Sequence, residues 1–84
     1  MFYVYILKSK TTCKVYIGQT ENLERRLHYH NSGYSKSTKS GIPWELVYTE
    51  EFNDRVSAIR RESEIKRKKS KNYIEYLITV RASR

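Results

Sequence analysis

A single cysteine, Cys13, in a chain of 84 residues rules out an internal disulfide and makes a reducing cytosol the expected compartment. No apolar run approaches the roughly 20 residues that span a bilayer, so no membrane span is expected. The opening "MFYVYILKSK" places no positive charge ahead of its apolar run and does not read as a secretory signal. The three glycines are too dispersed for a dinucleotide fingerprint, and there is neither a phosphate loop nor a cysteine pair for a metal. The chain is short enough that residues 1–84 read as a single domain without a large substrate cavity. Acidic residues are also scarce: 9 Asp and Glu face 17 Lys and Arg, a formal charge of +8, which favours an anionic partner such as nucleic acid.

What is present has a clear order. "FYVYIL", Phe2 to Leu7, mixes aromatic and β-branched residues in a run too short for a helix and reads as a strand apolar on both faces, near the centre of a sheet. The polar link "KSKTTC" leads to a second strand, "KVYIG", and the two form an antiparallel hairpin. Alternation puts Tyr16 and Gly18 on one face of the second strand, and Tyr3 and Tyr5 share a face of the first. Thr20 and Asn22 are both plausible N-caps of a helix from Leu23 to Asn31, which Gly33 would end. On that helix Leu23, Leu27 and His30 form one stripe, with Arg26 at its edge one turn before His30.

"SGYSKSTKSGIP", Ser32 to Pro43, reads as an exposed, mobile loop, and "WELVYTEEF" as a third strand. Asp54 caps a helix over Arg55 to Lys68. Ser70 caps another that carries Tyr73, Ile74, Leu77 and Val80 on one face. The expected class is α+β, a three-stranded antiparallel sheet flanked by helices in the order ββαβαα.

Glu62 is the hardest residue to explain by packing. It lies four residues after Ala58 and three before Ile65, inside the apolar stripe of its helix. A carboxylate there must recover its lost hydration from a cation, hydrogen bonds or protonation. An ion pair with Arg26 or another arginine is one solution, and a metal at the floor of a cleft is the other. His28 and His30 are two apart and cannot chelate one metal from a helix. Cys13, at a hairpin link without a placed base, reads as a solvent-facing thiol. Positive charge concentrates at Arg25, Lys36 and Lys39 and along Lys66, Arg67, Lys68, Lys69 and Lys71. These are the expected phosphate contacts, although a basic run closing a helix also suits the helix dipole.

The spacing of Tyr5, "VYIG" and "RRLHYH" resembles the GIY-YIG nuclease domain, and the resemblance covers almost the whole chain. The motif's first element aligns with Tyr3-Val4-Tyr5, Tyr3 standing in place of the glycine, and the second with Tyr16-Ile17-Gly18. Arg26 and His30 match the helix signature, and "AIRRESEIK" supplies the family's glutamate as Glu62. The chain looks most like the small stand-alone bacterial members, without the extra DNA-binding domains of excision-repair, homing and junction-resolving relatives.

That resemblance implies phosphodiester hydrolysis with one divalent metal, Mg²⁺ or Mn²⁺. By position it makes Glu62 the metal ligand, Tyr16 the general base, Arg26 an electrostatic clamp, and Tyr5 and His30 positioning or proton-transfer groups. Asn72 is the one candidate for the family's later asparagine. The resulting expectation is an endonuclease acting on DNA in preference to RNA, with repair or recombination as its setting and a protein partner as one source of specificity. Its main rival is a nucleic-acid-binding module that keeps the fold without cutting.

Overall fold

The computed structural model describes residues 1–68 and 70–82. Its elements are β1 (Phe2–Ser9), β2 (Val15–Thr20), α1 (Leu23–Asn31), α2 (Lys36–Lys39), β3 (Trp44–Phe52), α3 (Arg55–Lys68) and α4 (Lys71–Ala82). The expected α+β order ββαβαα is present, with the four-residue α2 added inside the stretch read as a plain loop. The three strands form one antiparallel sheet in the order β2-β1-β3. β1 is central because it is apolar on both sides: Val4, Tyr5, Ile6 and Leu7 are all buried, which only a strand covered on two faces allows.

The two faces carry different cores. Val4 and Ile6 pack with Ala58 and Ile65 of α3 and Ile74 and Leu77 of α4. Tyr5, Leu7 and Trp44 form the other cluster, against which Tyr16, Leu23, Leu27, Ile42 and Leu46 pack beneath α1. The hairpin register pairs Tyr5 with Gly18 and Leu7 with Tyr16, so Tyr5 and Tyr16 do share a face.

Side chains close the helix ends. Asn22, rather than Thr20, caps α1: its Oδ1 accepts the Arg25 N–H at 3.0 Å, while Thr20 Oγ1 accepts the Asn22 N–H at 3.1 Å. Gly33 follows the helix with φ +84°, a left-handed conformation that glycine adopts at no steric cost. Asp54 accepts the Ser57 N–H at 2.8 Å, and Ser70 accepts the Tyr73 N–H at 3.2 Å.

Two apolar stripes differ from expectation. On α4 the buried positions are Ile74 and Leu77, and Val80 is exposed. On α3 Ile59 is exposed, and Arg61 is half-buried as Glu62 is; Arg61 donates to Glu50 at 2.9 Å, to Glu64 and to the Tyr73 hydroxyl at 3.0 Å. Burial and the neighbouring Glu50 push the Tyr48 phenol up to about 12. Arg61 thus ties β3, α3 and α4 together by charge-assisted hydrogen bonds.

Gly18 positions the site. A Cβ there would stand 2.5 Å from the Tyr5 hydroxyl oxygen and 2.7 Å from ring carbon Cζ, so its missing side chain is the space the Tyr5 phenol fills. Gly18→Ala is expected to cost about 1–3 kcal/mol by overpacking, and most of that cost should vanish in a Tyr5→Ala background. Denaturant unfolding of the wild type, both single variants and the double variant reads this coupling; strictly additive losses would contradict it.

Candidate active site

The Tyr5 hydroxyl lies between two partners from α1. Arg26 donates its Nε–H to the oxygen at 3.4 Å, and His30 Nε2 lies 3.3 Å away. Tyr5 and His30 are 2% and 1% exposed, so water cannot substitute for either contact. The second imidazole nitrogen, Nδ1, is 3.2 Å from Thr38 Oγ1, and Thr38 is fully buried as well.

The protons are assigned from these contacts. Arg26 can only donate, so Tyr5 accepts from it and is assigned to give its own proton to His30 Nε2. In that assignment Nδ1 carries the imidazole proton and donates it to Thr38 Oγ1. Burial, helped by the charge of Arg26, holds the His30 pKa below its ordinary value and keeps the ring neutral. Burial also raises the Tyr5 pKa, against the opposing Arg26 hydrogen bond, so Tyr5 is a neutral phenol. The same hydrogen bond raises the pKa of Arg26.

A small frame holds Thr38. Its carbonyl accepts the Trp44 indole N–H at 2.8 Å, and Trp44 is clamped by Asn31, which accepts its backbone N–H at 2.6 Å and donates to its carbonyl at 3.1 Å. The indole lies so close over Gly41 that no Cβ fits there. Thr38, Asn31 and Trp44 had no signal in the sequence beyond one tryptophan behind a glycine. Nothing distinguished Thr38 from the other hydroxyl residues of "SGYSKSTKSG".

Of the site residues expected from sequence, Tyr5, Tyr16, Arg26 and His30 come together. The Tyr16 ring is half-buried, 4.6 Å from that of His30 and 6.3 Å from that of Tyr5, centroid to centroid. Tyr16 also adds a weaker interaction with Arg26. Glu62 is carried by α3, whose Ala58 and Ile65 pack against the opposite face of the sheet. Its carboxylate pairs with Lys66 at 2.7 Å, with side-chain exposures of 21% and 51%, and not with Arg26. Its charge is still felt at Tyr5. Asn72 is exposed in the first turn of α4, a helix of the Glu62 side, and is not part of the Tyr5 cluster.

The basic residues lie in separate patches. Arg25 and Arg26, with Tyr29, Arg55, Gln19 and Asn22, line an open cleft of about 550 Å³ beside the start of α1, where Arg55 pairs with Glu21 at 3.3 Å. Lys36 and Lys39 are exposed on α2, and Arg67, Lys68 and Lys71 at the α3–α4 junction. Lys66 is engaged by Glu62, and Lys69 lies outside the described residues.

Among the described residues no group of three His, Cys, Asp or Glu could hold a metal ion. The residues present do not make a closed cage. One partly exposed carboxylate does fit Mg²⁺ in its usual form, bound by one or two carboxylates, several waters and substrate phosphate oxygens.

The GIY-YIG catalytic-domain model matches residues 1–75. The chain belongs to the GIY-YIG family. Its relatives include a UPF0213 protein of Staphylococcus haemolyticus, 48% identical over 65 residues, covering 76% of this chain and 78% of that one. A UPF0213 protein of Natronomonas pharaonis is 43% identical over 65 residues, covering 76% and 75%. The solution NMR structure of a UPF0213 protein from Bacillus halodurans matches with a TM-score of 0.59 and 36% identity, over 95% of this chain and 85% of that one. This is therefore a small GIY-YIG chain of a nuclease family. No helix among the described residues is long and apolar enough to cross a membrane.

His30 gives the fold a pH dependence of known sign. Its folded pKa lies below the unfolded value of about 6.5, so the unfolded state binds more protons between the two. Stability present above about pH 6.5 is lost as pH falls toward the folded pKa. Thermal unfolding from pH 7.5 to 5 should show this loss in wild type and a flatter profile in His30→Gln. In ¹⁵N NMR His30 should show the Nδ1–H tautomer in wild type and in Thr38→Ser; the Nε2–H tautomer in wild type would contradict the proton assignment.

Proposed function

We propose that the chain is a metal-dependent endonuclease that hydrolyses phosphodiester bonds in nucleic acid, DNA in preference to RNA. One observation carries the reading: a buried phenol held between an arginine and a neutral histidine, beside an arginine-lined cleft. Packing alone would be served more cheaply by Phe at position 5 and Leu at position 30, because each buried polar group must recover its desolvation cost.

The roles follow from the contacts. With its Nε–H on Tyr5, Arg26 keeps its terminal N–H groups to grip phosphate oxygens in a planar fork. Tyr5 and His30 hold that guanidinium in place. Tyr5 is the poorer base because burial keeps it protonated. Tyr16 lies nearer the surface and beside Arg26, which offsets charge on a tyrosinate, so Tyr16 is the group assigned to take the proton from the attacking water. Glu62 is the metal ligand of this scheme once Lys66 moves aside. A divalent ion held there by Glu62 would supply charge neutralisation to the phosphodiester.

The Glu62–Lys66 pair also favours a second reading, a module that binds nucleic acid without cutting, because Lys66 already occupies the carboxylate the metal needs. Cleavage assays on labelled single-stranded, duplex, flapped and branched DNA, with Mg²⁺, Mn²⁺ or chelator, separate the two. Metal-dependent products are expected. Tyr16→Phe should cut about 10² to 10⁴-fold more slowly, and Glu62→Gln should not cut while losing only the few tenths of a kcal/mol of an exposed helix pair. Wild type without products on any substrate leaves the binding module, and undiminished cutting by Glu62→Gln removes Glu62 from the chemistry.

A further inference from the structure

Two tyrosines beside the site have no role in the chemistry above. Tyr29 is 36% and Tyr34 76% exposed, yet their rings are stacked, with centroids 6.0 Å apart and planes 25° apart. The Arg26 guanidinium lies over the Tyr29 ring, 4.8 Å from its centroid, and the same Arg26 reaches the Tyr5 hydroxyl. A continuous row thus runs from solvent to the buried centre: Tyr34, Tyr29, Arg26, Tyr5. Tyr29 also lines the cleft that holds Arg25 and Arg26. The frame that positions His30 fixes this row too, because Tyr34 sits between Gly33, which ends α1, and α2, which carries Thr38.

We propose that Tyr29 and Tyr34 form a stacking shelf for one unpaired nucleobase next to the phosphate gripped by Arg26. The strand is then engaged single-stranded, or frayed at the cut. The proposal rests on the nucleic-acid reading above and names the form of substrate. A base inside a duplex has both faces covered by its neighbours, so it presents phosphates to the arginines but no free ring face to Tyr34. An unpaired base offers that face. Every base has one, so the shelf holds bases without choosing among them. Arg26 beneath Tyr29 places the base site directly beside the phosphate site, the order in which a nucleotide presents the two groups.

The test is equilibrium binding in chelator, so that no strand is cut. Four labelled probes are compared: a short oligothymidylate, the matching oligouridylate, a blunt DNA duplex and an abasic sugar–phosphate strand. Wild type should bind oligothymidylate more tightly than the abasic strand. Tyr34→Ala should lose about 5 to 100-fold on oligothymidylate, the scale of one base–aromatic stack, and nothing on the duplex or abasic strand, while Tyr34→Trp should restore binding. An equal loss on oligouridylate supports a shelf for DNA and RNA bases alike, and a loss confined to oligothymidylate supports a shelf for DNA. Unchanged oligothymidylate binding by Tyr34→Ala, or the same loss on duplex and single strand, overturns the shelf and leaves the nucleic-acid reading standing. Wild type that binds none of the four probes overturns both.

Discussion

The Tyr5 phenol is the contact on which the rest of the site depends. It can lie flat across β2 only because position 18 has no side chain, and its hydroxyl then meets Arg26 and His30, one turn apart on α1. Removing water from this oxygen raises the cost of every unmade hydrogen bond around it. Each partner is accordingly held by a further group: His30 by Thr38, Thr38 by Trp44, and Trp44 by Asn31. A short polar segment becomes part of the site in this way, and α1 and α2 are fixed to the sheet by hydrogen bonds as well as by Leu23 and Leu27.

The sheet divides two tasks between its faces. Under α3 and α4 the buried residues are aliphatic, Val4, Ile6, Ala58, Ile65, Ile74 and Leu77, with Phe2, Tyr48, Phe52 and Tyr73 packed against them and the Arg61 ion pairs at the margin. Under α1 leucines pack with Tyr5, Tyr16 and Trp44, and the buried polar His30 and Thr38 join them. Glu62 belongs by its helix to the side of Ala58 and Ile65, and its charge is felt at Tyr5. Lys66, one turn away, neutralises it.

Much of this was legible in the sequence because periodicity is a local property. Alternation groups Tyr3 with Tyr5 and Tyr16 with Gly18, the hairpin register brings Tyr5 and Tyr16 to one face, and the 3.6-residue repeat puts Arg26 beside His30. Asp54, Ser70 and Gly33 marked helix ends that the structure keeps. Three features needed tertiary information. Thr38 is one hydroxyl among many until α2 folds back onto His30. The occupant of the space at Gly18 depends on the register of the hairpin. The partner of Glu62 depends on the roll of α3, which a pattern of Ala58, Ile59 and Ile65 leaves open by the angle of about one residue; the helix turns so that Ile59 is exposed and Arg61 is not.

The central claim is that the Tyr5, Arg26 and His30 cluster is assembled beforehand, whereas the metal site is completed only with the strand in place. The most direct measurement is a Mn²⁺ titration followed by electron paramagnetic resonance, on the protein alone, on a single strand alone and on their complex, using the Tyr16→Phe variant so that the strand stays whole. The account expects weak binding to either component and an affinity higher by about tenfold or more in the complex, with the gain lost when Glu62→Gln is added. Tight Mn²⁺ binding to the protein alone, or a gain in the complex that survives Glu62→Gln, would contradict it.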